Sequence, residues 1–183
     1  MKKLALVFVA GISLVSAKAQ KQEGFTFGAG IEAALPLGDF KTTNSFGIGG
    51  HLQGEYAFSD NLTGIATTGY TNYFGKTFTQ TVTNPYTGTT VSSSVKYPSI
   101  GHIPILVGAR FYPSESIFLG AQIGYGIFTG ATGGSSPKGF EYRPQVGFNV
   151  ESFQVALSYD GVSVTGGTLS HLGLTGIYKF GGK

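Results

Sequence analysis

Cysteine is absent from the 183 residues of the chain. Without it there is no disulfide framework, no thiolate metal site and no cysteine nucleophile. Charge is scarce as well: Asp, Glu, Lys and Arg make up 11% of the residues, against about 25% in ordinary soluble domains. A disordered, solvating chain is thereby excluded, and something other than water is expected to cover much of the surface. No segment after the first nineteen residues approaches the roughly 18 consecutive apolar residues of a membrane helix. A Gly-x-Ser-x-Gly elbow is missing, and the glycine-rich stretch 24–30 lacks the strand-to-helix context of a phosphate loop. Ser170 and His171 are neighbours on opposite faces of a strand, which is poor geometry for a nucleophile and its base. These absences predict no enzyme, no catalytic residue and no cofactor.

What is present begins with Lys2 and Lys3, continues through a charge-free stretch from Leu4 to Ala17, and ends on Ala17-Lys18-Ala19. That pattern predicts a secretory signal peptide cleaved after Ala19. The apolar stretch is too short for the roughly 20 residues that a helix needs to cross a bilayer. Residues 1–19 are thus expected to be a leader and 20–183 a single domain. Losing Lys2, Lys3 and Lys18 leaves 9 basic and 9 acidic residues. The basic balance belongs to the leader and gives no reason to expect a nucleic-acid partner.

Along the mature chain the dominant signal has a period of two, over stretches of about ten residues, as in transmembrane strands. In 140–150, Phe140, Tyr142, Pro144, Val146, Phe148 and Val150 share one face, while Glu141, Arg143, Gln145, Gly147 and Asn149 share the other. Residues 25–35, 46–58, 103–111, 117–127, 153–159 and 172–180 sort in the same way. Across these seven segments no charged residue falls on the apolar face, and Glu32, Glu55, Arg110, Glu141, Arg143 and Lys179 fall on the opposite one. Residues 62–74 are less clear, with Thr and Gly on both faces, but their length and their Thr, Tyr and Phe content predict an eighth strand. The links are expected to alternate in length, with every odd one longer than every even one, as export of a membrane barrel demands. The longest, Gly75 to Ser99, is rich in Thr and Ser, shows no apolar pattern and is expected to need no single conformation.

Polarity decides between a soluble and a membrane barrel. Eight strands enclose a space just wide enough for side chains to fill, so the bulky apolar face does not fit inside. The charged face, rich in glycine at Gly28, Gly30, Gly47, Gly49, Gly120, Gly124 and Gly126, does. The predicted fold is therefore all-β: an eight-stranded antiparallel up-and-down transmembrane barrel with a lipid-facing apolar exterior and a polar, side-chain-filled interior. Aromatic residues at the strand ends fit the two headgroup zones.

Leu35-Pro36-Leu37-Gly38-Asp39-Phe40, together with the strands GIGGHLQGEYAF (47–58), GHIPILVGARFY (101–112), FLGAQIGYG (118–126), FEYRPQVGF (140–148) and SHLGLTGIYKF (170–180), resembles the small outer-membrane β-barrel family of Gram-negative bacteria. The resemblance spans nearly the whole mature chain. It implies insertion into the outer membrane, with outer-membrane lipids and the barrel-insertion machinery as partners, and it carries over no catalytic residue. The tail Gly181-Gly182-Lys183 departs from the family pattern, in which a terminal aromatic stands last.

The candidate site is a lumenal charge network of Glu32, Glu55, Arg110, Glu141 and Arg143, read first as a structural plug and alternatively as a gate. His51, His102 and His171 lie on the same face in the outer halves of their strands, where convergence would make a metal or pH-sensitive site. The functional expectation is an envelope or surface-interaction role exercised through the 75–99 loop. Its alternatives are a narrow conduit for ions or small apolar molecules, and a lipid-modifying enzyme.

Overall fold

Phe25, Phe27, Ile31 and Leu35 point outward and Thr26, Gly28, Glu32 and Ala34 inward along β1 (Phe25–Leu37) in the computed structural model, which describes residues 24–83, 85–130 and 136–180. The same alternation builds β2 (Asn44–Ser59), β3 (Leu62–Gly75), β6 (Ile100–Phe111), β7 (Ile117–Thr129), β8 (Lys138–Val150), β9 (Phe153–Val164) and β10 (Gly167–Phe180). These eight strands close into one antiparallel barrel in chain order, with β3 joined to β6 and β10 returned to β1 through pairs from Phe27↔Phe180 to Leu37↔Ser170. Closure matters because an open strand edge in hydrocarbon would leave backbone groups unsatisfied at several kcal/mol each. Among the described residues no helix is long and apolar enough to cross a membrane.

The polarity agrees with the expectation. Ile31, Leu52, Ile105, Val107, Ile123 and Leu174 are each more than half exposed on the outer wall, while Glu141 and Arg143 are buried in the lumen. In water that wall would be an apolar patch far beyond what a soluble monomer exposes, and lipid is the solvent that suits it. Aromatic pairs mark its margins, with Phe46 stacked on Phe74 at 5.7 Å at one rim and Phe25 against Tyr56 at 4.9 Å at the other. We call the rim that carries both strand ends, Phe25 and Phe180, the near rim and the opposite one the far rim.

Three expectations need correction. The 75–99 segment contains regular structure: β4 (Thr77–Thr83) and β5 (Thr90–Lys96) form a two-stranded hairpin that projects from the far rim. Its residues alternate after all, Phe78-x-Gln80-x-Val82 against Val91-x-Ser93-x-Val95, a pattern masked by the many Thr and Ser between them. The strict contrast in link length also fails. β9 and β10 run past the apolar band and are joined through Thr165-Gly166 alone, with Gly166 at φ +98°, the left-handed region that glycine enters without a Cβ clash. The first link is likewise short, because α1 (Phe40–Thr43) and longer flanking strands take up most of it. Finally, Asp160 is part of β9 and fully buried, not the start of a loop. The expected leader, 1–19, and the tail 181–183 lie outside the described residues.

Candidate functional site: the charged lumen

The register carries the inward positions of all eight strands to the barrel axis, where side chains replace solvent in three tiers. Nearest the near rim, Arg110 forms an ion pair with Glu55 through Nη1. The same Nη1 donates to Gln154 Oε1 at 2.8 Å, and Nη2 to Gln145 Oε1 at 2.9 Å. Gln53 Nε2 donates to both Glu55 Oε1 and Gln154 Oε1 at 2.9 Å. The guanidinium lies 4.4 Å from the ring centroid of Phe118, a fully buried side chain that closes this end together with Tyr112. Tyr112 sits just outside β6, and burial, reinforced by the Glu55 carboxylate, raises its phenol pKa above the ordinary 10.0.

The middle tier is neutral. Gln122 donates to Thr67 Oγ1 at 2.8 Å and accepts from Gln145 at 3.2 Å. A cavity of about 20 Å³ remains beside Thr67, Gln122, Arg143 and Ser158, room for about one water molecule.

Towards the far rim, Arg143 donates to Asp160 through Nε and approaches Glu141 at 3.4 Å. Glu141 also meets His102 at 3.0 Å, and Glu32 lies 3.3 Å from His51. His171 stands between Asp160 and Glu32, at 3.5 and 3.7 Å. This tier holds three carboxylates, one guanidinium and three imidazoles, all buried. Inward glycines make the crowding feasible: a Cβ on Gly126 would come within 2.5 Å of Glu141 Oε2, and one on Gly47 within 2.7 Å of the Tyr73 ring.

Above this tier an apolar cap closes the far end. Phe40 of α1 folds inward against Tyr73 at 4.8 Å and Phe128 at 5.7 Å, with Ala34 and Val162 completing the cluster. Sequence reasoning missed the cap because Phe40 lay in a presumed link and Tyr73 and Phe128 sit at inward parity among polar neighbours.

All five expected network residues line the lumen, but as two separate groups. Glu55 and Arg110 form one, and Glu141 and Arg143, with Glu32 nearby, form the other. Asp160, the partner that sequence reasoning passed over, carries the inward parity of Gln154 and Ser158, and that alternation was the signal available for it. The histidines draw together in part: His102 and His171 lie 5.7 Å apart edge to face, while His51 is held at Glu32. Among the described residues no group of three or more His, Asp or Glu side chains has the arrangement to hold a metal ion.

A closed antiparallel barrel with an apolar outer wall and a buried network of paired charges defines a transmembrane β-barrel of the small eight-stranded outer-membrane type. Solved structures share that fold. The chain superposes on Ail, the attachment invasion locus protein of Yersinia pestis, with a TM-score of 0.58 at 16% identity, over 86% of this chain and 99% of that one. For OprG, the outer membrane protein from Pseudomonas aeruginosa, the TM-score is 0.55 at 13% identity, over 90% and 99%. Neisserial surface protein A gives 0.54 at 15% identity, over 86% and 96%. At these identities the likeness is one of fold. No protein-family model and no curated protein matches the chain.

Proposed function

We propose that the chain, exported by the leader 1–19, resides in the outer membrane as a non-enzymatic barrel whose lumenal charges plug it, and that it acts at its far rim, outside the cell. The observation that carries this reading is the contrast between a lumen filled from Phe118 to Phe40 and a hairpin projecting freely from the far rim. A filled eight-stranded interior leaves no water-wide path, which weighs against the conduit. Function tends to sit on loops held by a rigid scaffold, and β4–β5 is the longest such feature among the described residues.

Charge points to the kind of ligand. The far-rim links carry Lys41, Lys76 and Lys96, and Lys138 opens β8 at the same rim, with Asp39 as the one acidic residue in those links, while the near-rim turns carry Asp60, Glu115 and Glu151 and no base. An anionic surface polymer or headgroup matches the far rim best. Ail, whose fold is similar, has been solved in complex with the heparin analogue sucrose octasulfate. Three measurements test the proposal together: heat-modifiable migration of the outer-membrane fraction, planar-bilayer recording, and binding of sucrose octasulfate to the folded barrel. Expected are a compact unboiled band, electrical silence, and binding that weakens in Lys76→Ala with Lys96→Ala. Steady conductance that changes in Arg110→Ala would replace the plug with the conduit.

A further inference from the structure

Charge in the far tier does not balance on groups of fixed sign. Glu32, Glu141 and Asp160 bring three carboxylates against the one guanidinium of Arg143, and all four side chains are buried. A buried charge is tolerated when it is paired and is otherwise driven to exchange a proton. The Arg110–Glu55 pair and Lys179 lie at the near end, beyond the uncharged middle tier, and supply no counter-charge here. β7 and α1 turn Gly126, Phe128 and Phe40 towards the tier, and β3 turns Thr71 and Tyr73, none of them a cation. Lys41 of α1 is exposed. The balance falls to the three imidazoles.

Hydrogen bonding separates those three. Thr71 Oγ1 donates to Glu32 Oε1 at 3.2 Å, so it can only accept from His51 Nε2 at 3.3 Å, and Glu32 Oε2, also at 3.3 Å, is a second acceptor for the same nitrogen. His51 Nε2 therefore carries a proton. His102 Nε2 meets Glu141 Oε2 at 3.0 Å and carries one for the same reason. The His102 ring is stacked on Phe128 at 4.7 Å and 23°, a face that favours a cation. Its Nδ1 has no partner, which leaves the carboxylate and that aromatic face to hold a charge. His171 differs, because neither ring nitrogen has a hydrogen-bond partner, and Asp160 and Glu32 stand off at 3.5 and 3.7 Å. Asp160 is already served by Arg143 and by Ser158 Oγ at 2.6 Å.

We propose that the far tier is a two-proton site, in which His51 and His102 are imidazolium ions paired with Glu32 and Glu141, Arg143 is paired with Asp160, and His171 stays neutral. Three cations then face three carboxylates, and the tier is neutral as a whole. The protons lock the plug, because their loss leaves two carboxylates without counter-charge beneath the cap of Phe40, Tyr73 and Phe128 and draws water in. The barrel is therefore tighter at neutral pH than in mild alkali. The inference rests on a filled, dry lumen, which electrical silence in planar bilayers checks separately.

The unfolded chain gives up its imidazole protons around the ordinary value of about 6.5. Above it the folded state binds two more protons than the unfolded one, so stability falls as pH rises. Between about pH 7.5 and about pH 8.5, below the range of tyrosine, the unfolding constant in phospholipid vesicles should rise ~100-fold per pH unit. The rise should drop to ~10-fold in His51→Gln, in His102→Gln and in Glu141→Gln, whose amide needs no counter-ion, and stay ~100-fold in His171→Gln. Nitrogen-15 spectra of the unsubstituted, histidine-labelled chain in nanodiscs need no variant to fold and separate imidazolium from the neutral tautomers. At about pH 7.5 they should show His51 and His102 charged and His171 neutral. A flat unfolding constant over that range, neutral His51 and His102 in the spectra, or an unchanged rise in the His51→Gln and His102→Gln variants would overturn the proposal. Steady conductance of the unsubstituted chain would instead sink the plug reading itself.

Discussion

Replacing Arg143 by Met keeps the length and most of the packing of the side chain and deletes its charge. In the folded barrel Arg143 is 5% exposed, bonded to Asp160 and 3.4 Å from Glu141, in a tier whose other two charged groups of fixed sign near it are carboxylates of Glu32 and Glu141. Breaking a buried ion pair by removing one partner costs about 3–5 kcal/mol, because the remaining charge stays buried. Two carboxylates lose their counter-charge here, which places Arg143→Met near the upper end, about 5 kcal/mol. Arg110→Met strands only Glu55, which still accepts from Gln53 at 2.9 Å and Gln154 at 3.4 Å, so its cost falls towards about 3 kcal/mol. Reversible denaturant unfolding in phospholipid vesicles, followed by tyrosine fluorescence and unboiled gel migration, measures both. The midpoint should shift while the denaturant dependence stays constant. Adding Asp160→Asn to Arg143→Met should recover part of the loss, since an amide needs no counter-ion. A cost within about 1 kcal/mol for Arg143→Met, the scale of an exposed pair, would refute a dry, filled lumen.

Three further outcomes follow from the same geometry. Ile123→Arg puts a cation on the lipid face at mid-strand, where Ile123 is 54% exposed, and should cost about 2–4 kcal/mol in vesicles. Phe40→Ala removes the centre of the far-end cap, where Phe40 is 2% exposed; a loss of about 3 kcal/mol in unfolding free energy, without loss of the compact gel band, is expected. For Tyr112, whose phenol titrates above 10.0 in the folded chain, the unfolded state releases its proton first. The stability it contributes is complete below the ordinary value and drains away as pH rises through the folded one, so Tyr112→Phe should flatten the alkaline decline of the unfolding midpoint.

Legibility varied with how strongly each residue's face was marked. β8 could be read outright, because Glu141, Arg143, Gln145 and Asn149 alternate with bulky apolar residues. β3 could not, since Thr stands on both faces; only the register shows Thr67 turned in to Gln122 and Thr71 to Glu32 and His51. Asp160 was lost because the alternating apolar series of β9 stops at Tyr159 in the sequence. The strand runs on through Gly161, where a Cβ would strike the Tyr142 ring at 2.4 Å, so glycine there admits the tyrosine and does not mark a turn. The hairpin was overlooked because two apolar residues per strand among seven fall below the contrast that marks a spanning segment.

Period-two alternation, a charge-free outer face and the cramped interior of eight strands determined the barrel and its inside-out polarity, because those constraints act residue by residue and need no knowledge of neighbours. Which charges meet was decided by the tertiary structure alone. Glu55 reaches Arg110 across 55 positions of sequence and Glu32 reaches His171 across the β1–β10 seam. Such meetings depend on the shear of the closed sheet, a property of the whole ring that no single strand encodes.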